Sequence, residues 1–146
     1  MSARVRTMVV GTHEVRVEED IVYLIQKGDY TRDDAIKMHA EMGHLLNSIG
    51  RVFALVDQSK AGRTDPEARK MIVEWNKKFK ASGSAIFGGS VVSRAAATLI
   101  VSALRLFAPN TSPVVFKETE AEARAWISAQ RARILGVQPA TGANAP

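Results

Sequence analysis

The chain has 146 residues, 46% of them hydrophobic and 24% charged, which fits one soluble domain with a single core. It has no cysteine, so disulfides, thiolate metal sites and a cysteine nucleophile are excluded. The net charge of +5 and pI near 9.8 permit attraction to anionic partners, but no long basic block is present and charge alone assigns no partner.

Residues 1–11 carry two arginines and an apolar run too short for a secretory signal, so they are read as a segment outside the domain of a cytoplasmic protein. From His13 to Glu18, Val15 and Val17 alternate with polar neighbours, and Glu19-Asp20 turns the chain into Ile21–Ile25. That pattern predicts an opening β-hairpin, with His13 in an edge strand. Thr31 and Asp34 form a capping box, and Ala35, Ile36, His39, Met42, Leu45, Leu46 and Ile49 follow helical spacing up to Gly50. An apolar strand, Val52–Val56, ends at Asp57 and leads through a Lys60–Arg63 loop to a second helix. That helix has Asp65 as N-cap and Pro66 at its first position, with Ala68, Met71, Ile72, Trp75 and Phe79 inward and Gly83 as its stop.

A short strand, Ser84–Phe87, breaks at Gly88-Gly89, and Ser93 is read as the cap of a third helix that ends before Pro109. Pro113–Phe116 is the last strand. Thr119 and Glu122 then cap a final helix with Ala123, Trp126, Ile127 and Ile134 inward and Gly136 at its end. Residues 137–146, rich in Ala, Gly and Pro, are expected to be a disordered tail. The order ββαβαβαβα over residues 12–136 predicts an α/β domain: four helices and a five-stranded mixed sheet, mostly parallel with an antiparallel edge strand. The run Val91 to Ala108 contains Arg94 and Arg105 and is too short to span a membrane, so no transmembrane segment is expected.

Three segments together carry a family resemblance. They are the hairpin running into Gly28-Asp-Tyr-Thr-Arg-Asp-Asp34, the strand Leu55-Val-Asp-Gln-Ser59 leading to Asp65-Pro-Glu-Ala68, and the closing Phe116 with Glu122-Ala-Arg-Ala-Trp126-Ile127. In this order they resemble the SpoIIAA-like proteins, relatives of the STAS domains of anti-sigma-factor antagonists and, in fold, of CRAL-TRIO lipid carriers. In those antagonists the strand ends in Asp-x-Ser, and an Asp-Ser-Ser-Gly motif starts the next helix, where a kinase phosphorylates a serine. Asp57 and Ser59 match the first motif and Asp65 the second, while Pro66 and Glu67 stand where the two serines would be. The resemblance therefore implies a regulatory domain that lacks the usual phosphorylatable hydroxyl.

The third helix holds more apolar surface than one sheet face covers. Arg94, Thr98, Ser102 and Arg105 occupy roughly 80° of its circumference, and almost everything else is apolar. Three readings stay open for the surplus: a homodimer interface built on Leu99, Ala103, Leu104 and Phe107, the wall of an apolar ligand pocket, or a flank packed beneath a neighbouring helix. The dimer leads. Gly88-Gly89-Ser90 with Arg94 is either an anion cradle or, more simply, a strand-to-helix turn, and it has neither Walker nor dinucleotide spacing.

His39 and His44 lie on different sides of the first helix, so they cannot share a metal, and Glu41-x-x-His44 lacks a second such motif. Ser59 has no base at a recognisable spacing. Arg69, Lys70, Lys77, Lys78 and Lys80 form a solvated face without interleaved aromatics, so no nucleic-acid partner is expected. No catalytic residue, metal or cofactor is expected. The functional edge is placed at Asp57, Ser59, Asp65, Glu67, Gly88, Gly89 and Arg94, at the carboxyl ends of strands. The expected function is non-enzymatic: a regulatory or partner-binding domain, with a carrier or sensor of a small apolar or lipid-like molecule as the alternative.

Overall fold

A computed structural model describes residues 5–108 and 112–136. The expected tail at 137–146 and Pro109 fall outside them. The elements run β1 (Val5–Val10), β2 (His13–Glu18), β3 (Ile21–Tyr30), α1 (Arg32–Ile49), β4 (Phe53–Thr64), α2 (Pro66–Lys78), β5 (Gly83–Phe87), α3 (Val91–Phe107), β6 (Val114–Lys117) and α4 (Glu120–Leu135). Among the described residues the sheet is mixed and has six strands in sequential order, with β1, β2 and β3 antiparallel and β3 to β6 parallel.

The sixth strand is β1, absent from the expected five. It pairs with β2 from Val5↔Glu18 to Val10↔His13 and is mostly exposed, as an outer strand is. Because β1 covers that edge, β2 is an interior strand and His13 is buried rather than at an edge. His13 Nδ1 accepts the Lys27 N–H at 2.8 Å, and Nε2 donates to Asp34 Oδ2 at 3.1 Å. Asp34 is itself half of the α1 capping box with Thr31, so the cap and the hairpin share one carboxylate.

The sequential strand order decides where the helices go. Each parallel crossover steps the same way along the sheet, and right-handed connections then put α1, α2 and α3 on a single face. Among the described residues no strand follows β6, and α4 returns across the opposite face to pack on β4, β5 and β6. With both faces covered, β4 reads as a continuous apolar run whose alternate residues serve different layers. Phe53 and Leu55 join Ile127 beneath α4, while Ala54 joins Met38, Met42 and Trp75 beneath α1 and α2.

Several local expectations change. The Lys60–Arg63 loop is strand, because β4 continues past Asp57 beside β3 with the register Lys27↔Lys60, Gly28↔Ala61 and Tyr30↔Thr64. Gly62 allows this: its α-carbon lies so close to Asp29 that a Cβ has no room, and Asp29 Oδ1 accepts the Arg63 N–H. The N-cap of α3 is Ser90, with Ser93 as the reciprocal N3 partner. Asp65 occupies the α2 N-cap without a side-chain hydrogen bond, followed by Pro66. The α2 helix stops at Lys78, so Phe79 sits on extended backbone and is largely exposed, and Gly83 opens β5 instead of ending α2. Ile134, in the last turn of α4, is half exposed like its neighbour Leu135.

Asp20 fastens the layers together. This carboxylate, 1% exposed, receives Arg131 of α4 at 2.6 and 2.8 Å and Arg51 before β4 at 2.8 Å, while its carbonyl accepts the Phe53 N–H. Burial pushes its carboxyl up, but the two guanidinium groups together outweigh burial and hold it below the usual carboxylate range. Its stabilising contribution is therefore complete above that range and lost only as pH falls through the lowered value. Asp20→Ala is expected to cost about 3 kcal/mol at neutral pH, read from urea unfolding. A loss under about 0.5 kcal/mol would show that the clamp carries no stability.

Candidate functional site

Two neighbouring features form the site: an exposed edge where β5 leaves β4, and a cavity directly behind it. At the edge, β5 pairs with β4 only as far as Asp57↔Phe87. Asp57 Oδ1 accepts the Ser59 N–H at 2.9 Å, which fixes the exposed Ser59. The turn from β5 into α3 lies against them. Gly88 has φ +73°, and a Cβ there would stand 3.3 Å from Ser59 Cβ and 3.4 Å from Asp57 Oδ1. Both the left-handed backbone and the close approach favour glycine at this point. At Gly89 an added Cβ would meet Ser93 Oγ at 3.0 Å and Gln58 Oε1 at 3.1 Å.

The structure thus gathers Asp57, Ser59, Gly88 and Gly89, but not the remaining residues of the expected edge. Asp65 and Glu67 are exposed at the start of α2, beyond Thr64, which lies seven residues past Asp57 and so about 20 Å further along the strand. Arg94 turns toward β6, with its guanidinium 5.7 Å from the centre of the Phe116 ring. The Ser90 and Ser93 N–H groups are occupied by the reciprocal cap of α3, so two of the donors at this turn are already taken.

The cavity lies between the sheet and α1, α2 and α3 and has a volume of about 130 Å³. Leu24 and Gln26 of β3, Ala54, Val56 and Gln58 of β4, and Ile86 of β5 form its floor; Met42, His39, Ile72, Ala97, Ile100 and Leu104 contribute from the helices. Most of the wall is apolar. Gln26 and Gln58 are buried, and among the described residues neither Gln26 Nε2 nor Gln58 Oε1 has a hydrogen-bond partner. Composition and motif spacing do not disclose this pair. Strand parity does, since Gln26 follows Leu24, and Gln58 follows Ala54 and Val56, on the inward side.

His39 is the titratable imidazole in this wall. Its Nδ1 donates to the Ala35 carbonyl at 2.8 Å and its ring meets Trp75 edge-on at 5.0 Å. Burial, opposed by that hydrogen bond, pushes its pKa down to about 4. Tyr30, also on the wall, has its hydroxyl pKa raised by burial and by the Asp34 charge.

The surplus apolar surface of α3 divides three ways. Ala97, Ile100, Val101 and Leu104 face the cavity, and Leu104 is packed with Val73 of α2 and Ala108. Leu104 is therefore internal and leaves the set expected for a dimer interface. Leu99, Ala103 and Phe107 line an open groove of about 360 Å³ between α2 and α3, whose rim bears Arg69, Lys70 and Lys77. The Lys77 ammonium lies 5.7 Å from the Phe107 ring centre. Val91, Val92 and Leu106 remain exposed. Among the described residues no group of three or more His, Asp or Glu is placed to hold a metal, and no helix is long and apolar enough to cross a membrane.

No family model and no curated protein sequence matches the chain. Solved structures do. One is an uncharacterized DUF3478-family protein with a SpoIIAA-like fold from Shewanella loihica. The match covers 86% of this chain and 93% of that one, with a TM-score of 0.53 and 16% identity. Another is the anti-sigma factor antagonist SpoIIAA in its unphosphorylated form; it covers 85% and 97%, with a TM-score of 0.51 and 10% identity. The chain has a SpoIIAA-like fold. At these identities the likeness extends to the arrangement of the SpoIIAA-like elements and not to their side chains.

The lowered His39 pKa has a measurable consequence. The unfolded chain takes up a proton near pH 6.5, whereas folded His39 resists protonation until about pH 4. Stability from this group is therefore present above pH 6.5 and falls through the interval down to about pH 4, by roughly 3 kcal/mol. His39→Gln is expected to flatten that part of the stability profile in chemical unfolding. An unchanged slope would place the titration on another group.

Proposed function

We propose that this chain is a non-catalytic recognition domain that binds a protein partner through the edge formed by Asp57, Ser59, Gly88 and Gly89. The observation that carries the reading is the bare approach of Gly88 to Asp57 and Ser59, which leaves Ser59 exposed beside the carboxyl end of β5, where β4 runs on without it. In open α/β sheets this end of the strands is where ligands and partners meet the fold. The likeness to an anti-sigma factor antagonist, a protein whose name describes action on another protein, supports the same reading. Pro66 and Glu67 offer no hydroxyl at the start of α2, so control of this edge comes from a source other than phosphorylation there.

The cavity favours a second reading, sensing of a small molecule. About 130 Å³ is well below the few hundred Å³ that larger ligands occupy, so the fit is to a small molecule and not to a carried lipid.

Partner capture with three forms of the chain tests the edge. Ser59→Arg places a bulky cation on it, and Glu67→Arg places the same group at the far end of β4. A protein retained by the wild type and by Glu67→Arg, and reduced at least tenfold by folded Ser59→Arg, is the expected result; equal retention by all three would move the docking site elsewhere.

A further inference from the structure

We propose that the outer face of α3, flanked by the basic residues of α2 and α3, docks this chain on an anionic lipid bilayer, where the helix lies in the surface without crossing it. This face is separate from the edge at Asp57 and Ser59, and the inference does not depend on what that edge binds.

The arrangement of side chains around α3 is the main observation. Ala97, Ile100, Val101 and Leu104 point inward to the cavity. At 100° per residue, Val91, Ala95, Leu106, Leu99 and Val92 share an outward arc of about 100°, with Ser102 the polar residue among them. They form a crest that runs from the first turn of α3 to the last, about 22 Å. Leu106 is 72% exposed, Val92 67% and Leu99 59%. A surface helix normally keeps one apolar stripe and turns it to the core. Here a second stripe faces away from the core, and a contiguous exposed apolar patch marks an interaction site.

Charge decides what covers the crest. Together α2 and α3 hold six basic residues, Arg69, Lys70, Lys77, Lys78, Arg94 and Arg105, against two acidic ones, Glu67 and Glu74, and α3 has none of the latter. Arg94 and Arg105, about 20° apart in arc, stand on one flank of the crest. Lys70 and Lys77 stand on the other, along the groove between α2 and α3, where Glu74 is paired with Lys77 at 3.1 Å. An apolar crest between basic flanks suits the interface of an anionic bilayer: the apolar side chains enter the acyl boundary while the long cations reach lipid phosphates.

Other occupants fit less well. A second copy of this chain would set basic flank against basic flank, whichever way round the two helices lay. A partner helix seated in the groove would meet Leu99, Ala103 and Phe107 but leave Val91 and Leu106, which lie outside it, in water. A bilayer surface covers the whole crest.

Cosedimentation of the whole chain with vesicles tests the assignment. Binding to vesicles of phosphatidylglycerol and phosphatidylcholine in equal parts, at least about tenfold stronger than to phosphatidylcholine alone, is the expected result. That binding is expected to fall at least about tenfold between about 0.1 M and about 0.5 M salt. Leu99→Ser, Leu106→Ser alters two exposed positions and is expected to weaken it as much. The chain has no cysteine, so Leu106→Cys carries an environment-sensitive fluorophore at the crest and Ser128→Cys, exposed on α4, carries it on the opposite face of the sheet. On adding anionic vesicles, emission is expected to shift to the blue at position 106 and to stay unchanged at 128. These wild-type and labelling measurements decide the matter even if the double serine variant does not fold. Absence of vesicle binding, equal binding to both compositions, or bound protein with unchanged emission at 106 would overturn the proposal. A lipid-free dimer that Leu99→Ser, Leu106→Ser dissociates would overturn it too, by giving the crest to a second copy.

Discussion

The pairing of β3 with β4 is the constraint on which the other features depend. These two strands stay together from Ile21↔Phe53 to Tyr30↔Thr64, whereas β5 accompanies β4 only to Asp57. At one end of the pair, Asp20 holds Arg51 and Arg131 and accepts the Phe53 N–H. At the other end, the Asp65 N–H bonds the Tyr30 carbonyl and starts α2. Between them the ladder shifts register after Ile25. Gln26 and Gln58 lie within that irregularity, one on each strand, and both line the cavity. A one-residue slip would turn this inward set to the other face of the sheet.

Edge and cavity are consequently parts of one strand segment. Asp57 and Ser59 belong to the edge, and Gln58 between them belongs to the cavity. Gly89, in the turn that leads to α3, faces the Gln58 carbonyl from the other side.

Much of this architecture was legible in the sequence. Reciprocal caps announced α1 at Thr31 and Asp34, and Pro66 marked the start of α2. The apolar run Val52–Val56 announced a strand ending at Asp57. What escaped local reading was set by distant partners. Val5–Val10 looks like an irregular segment until β2 is beside it. Lys60-Ala-Gly-Arg63 has the composition of a loop, yet pairing with β3 and the Asp29 carboxylate keep it in the sheet. Asp20 looked like a turn former, since its arginines stand 31 and 111 residues away. Leu104 was assigned to an outer face because helical spacing shows which residues share a side but not which neighbour that side meets. The glutamine pair was visible in strand parity, but polarity on an inward position gains meaning only once a cavity is found beside it.

If the β3–β4 pair organises both features, it should be the last part of the fold to open. Native-state hydrogen exchange measures this residue by residue. The account predicts that amides in Val22–Leu24 and Ala54–Val56 exchange only through global unfolding, while those of the two-stranded extension at Lys60–Arg63 exchange sooner. Slower exchange in α3 than in these strand segments would contradict it, and would make the helix, not the strand pair, the frame on which cavity and edge are built.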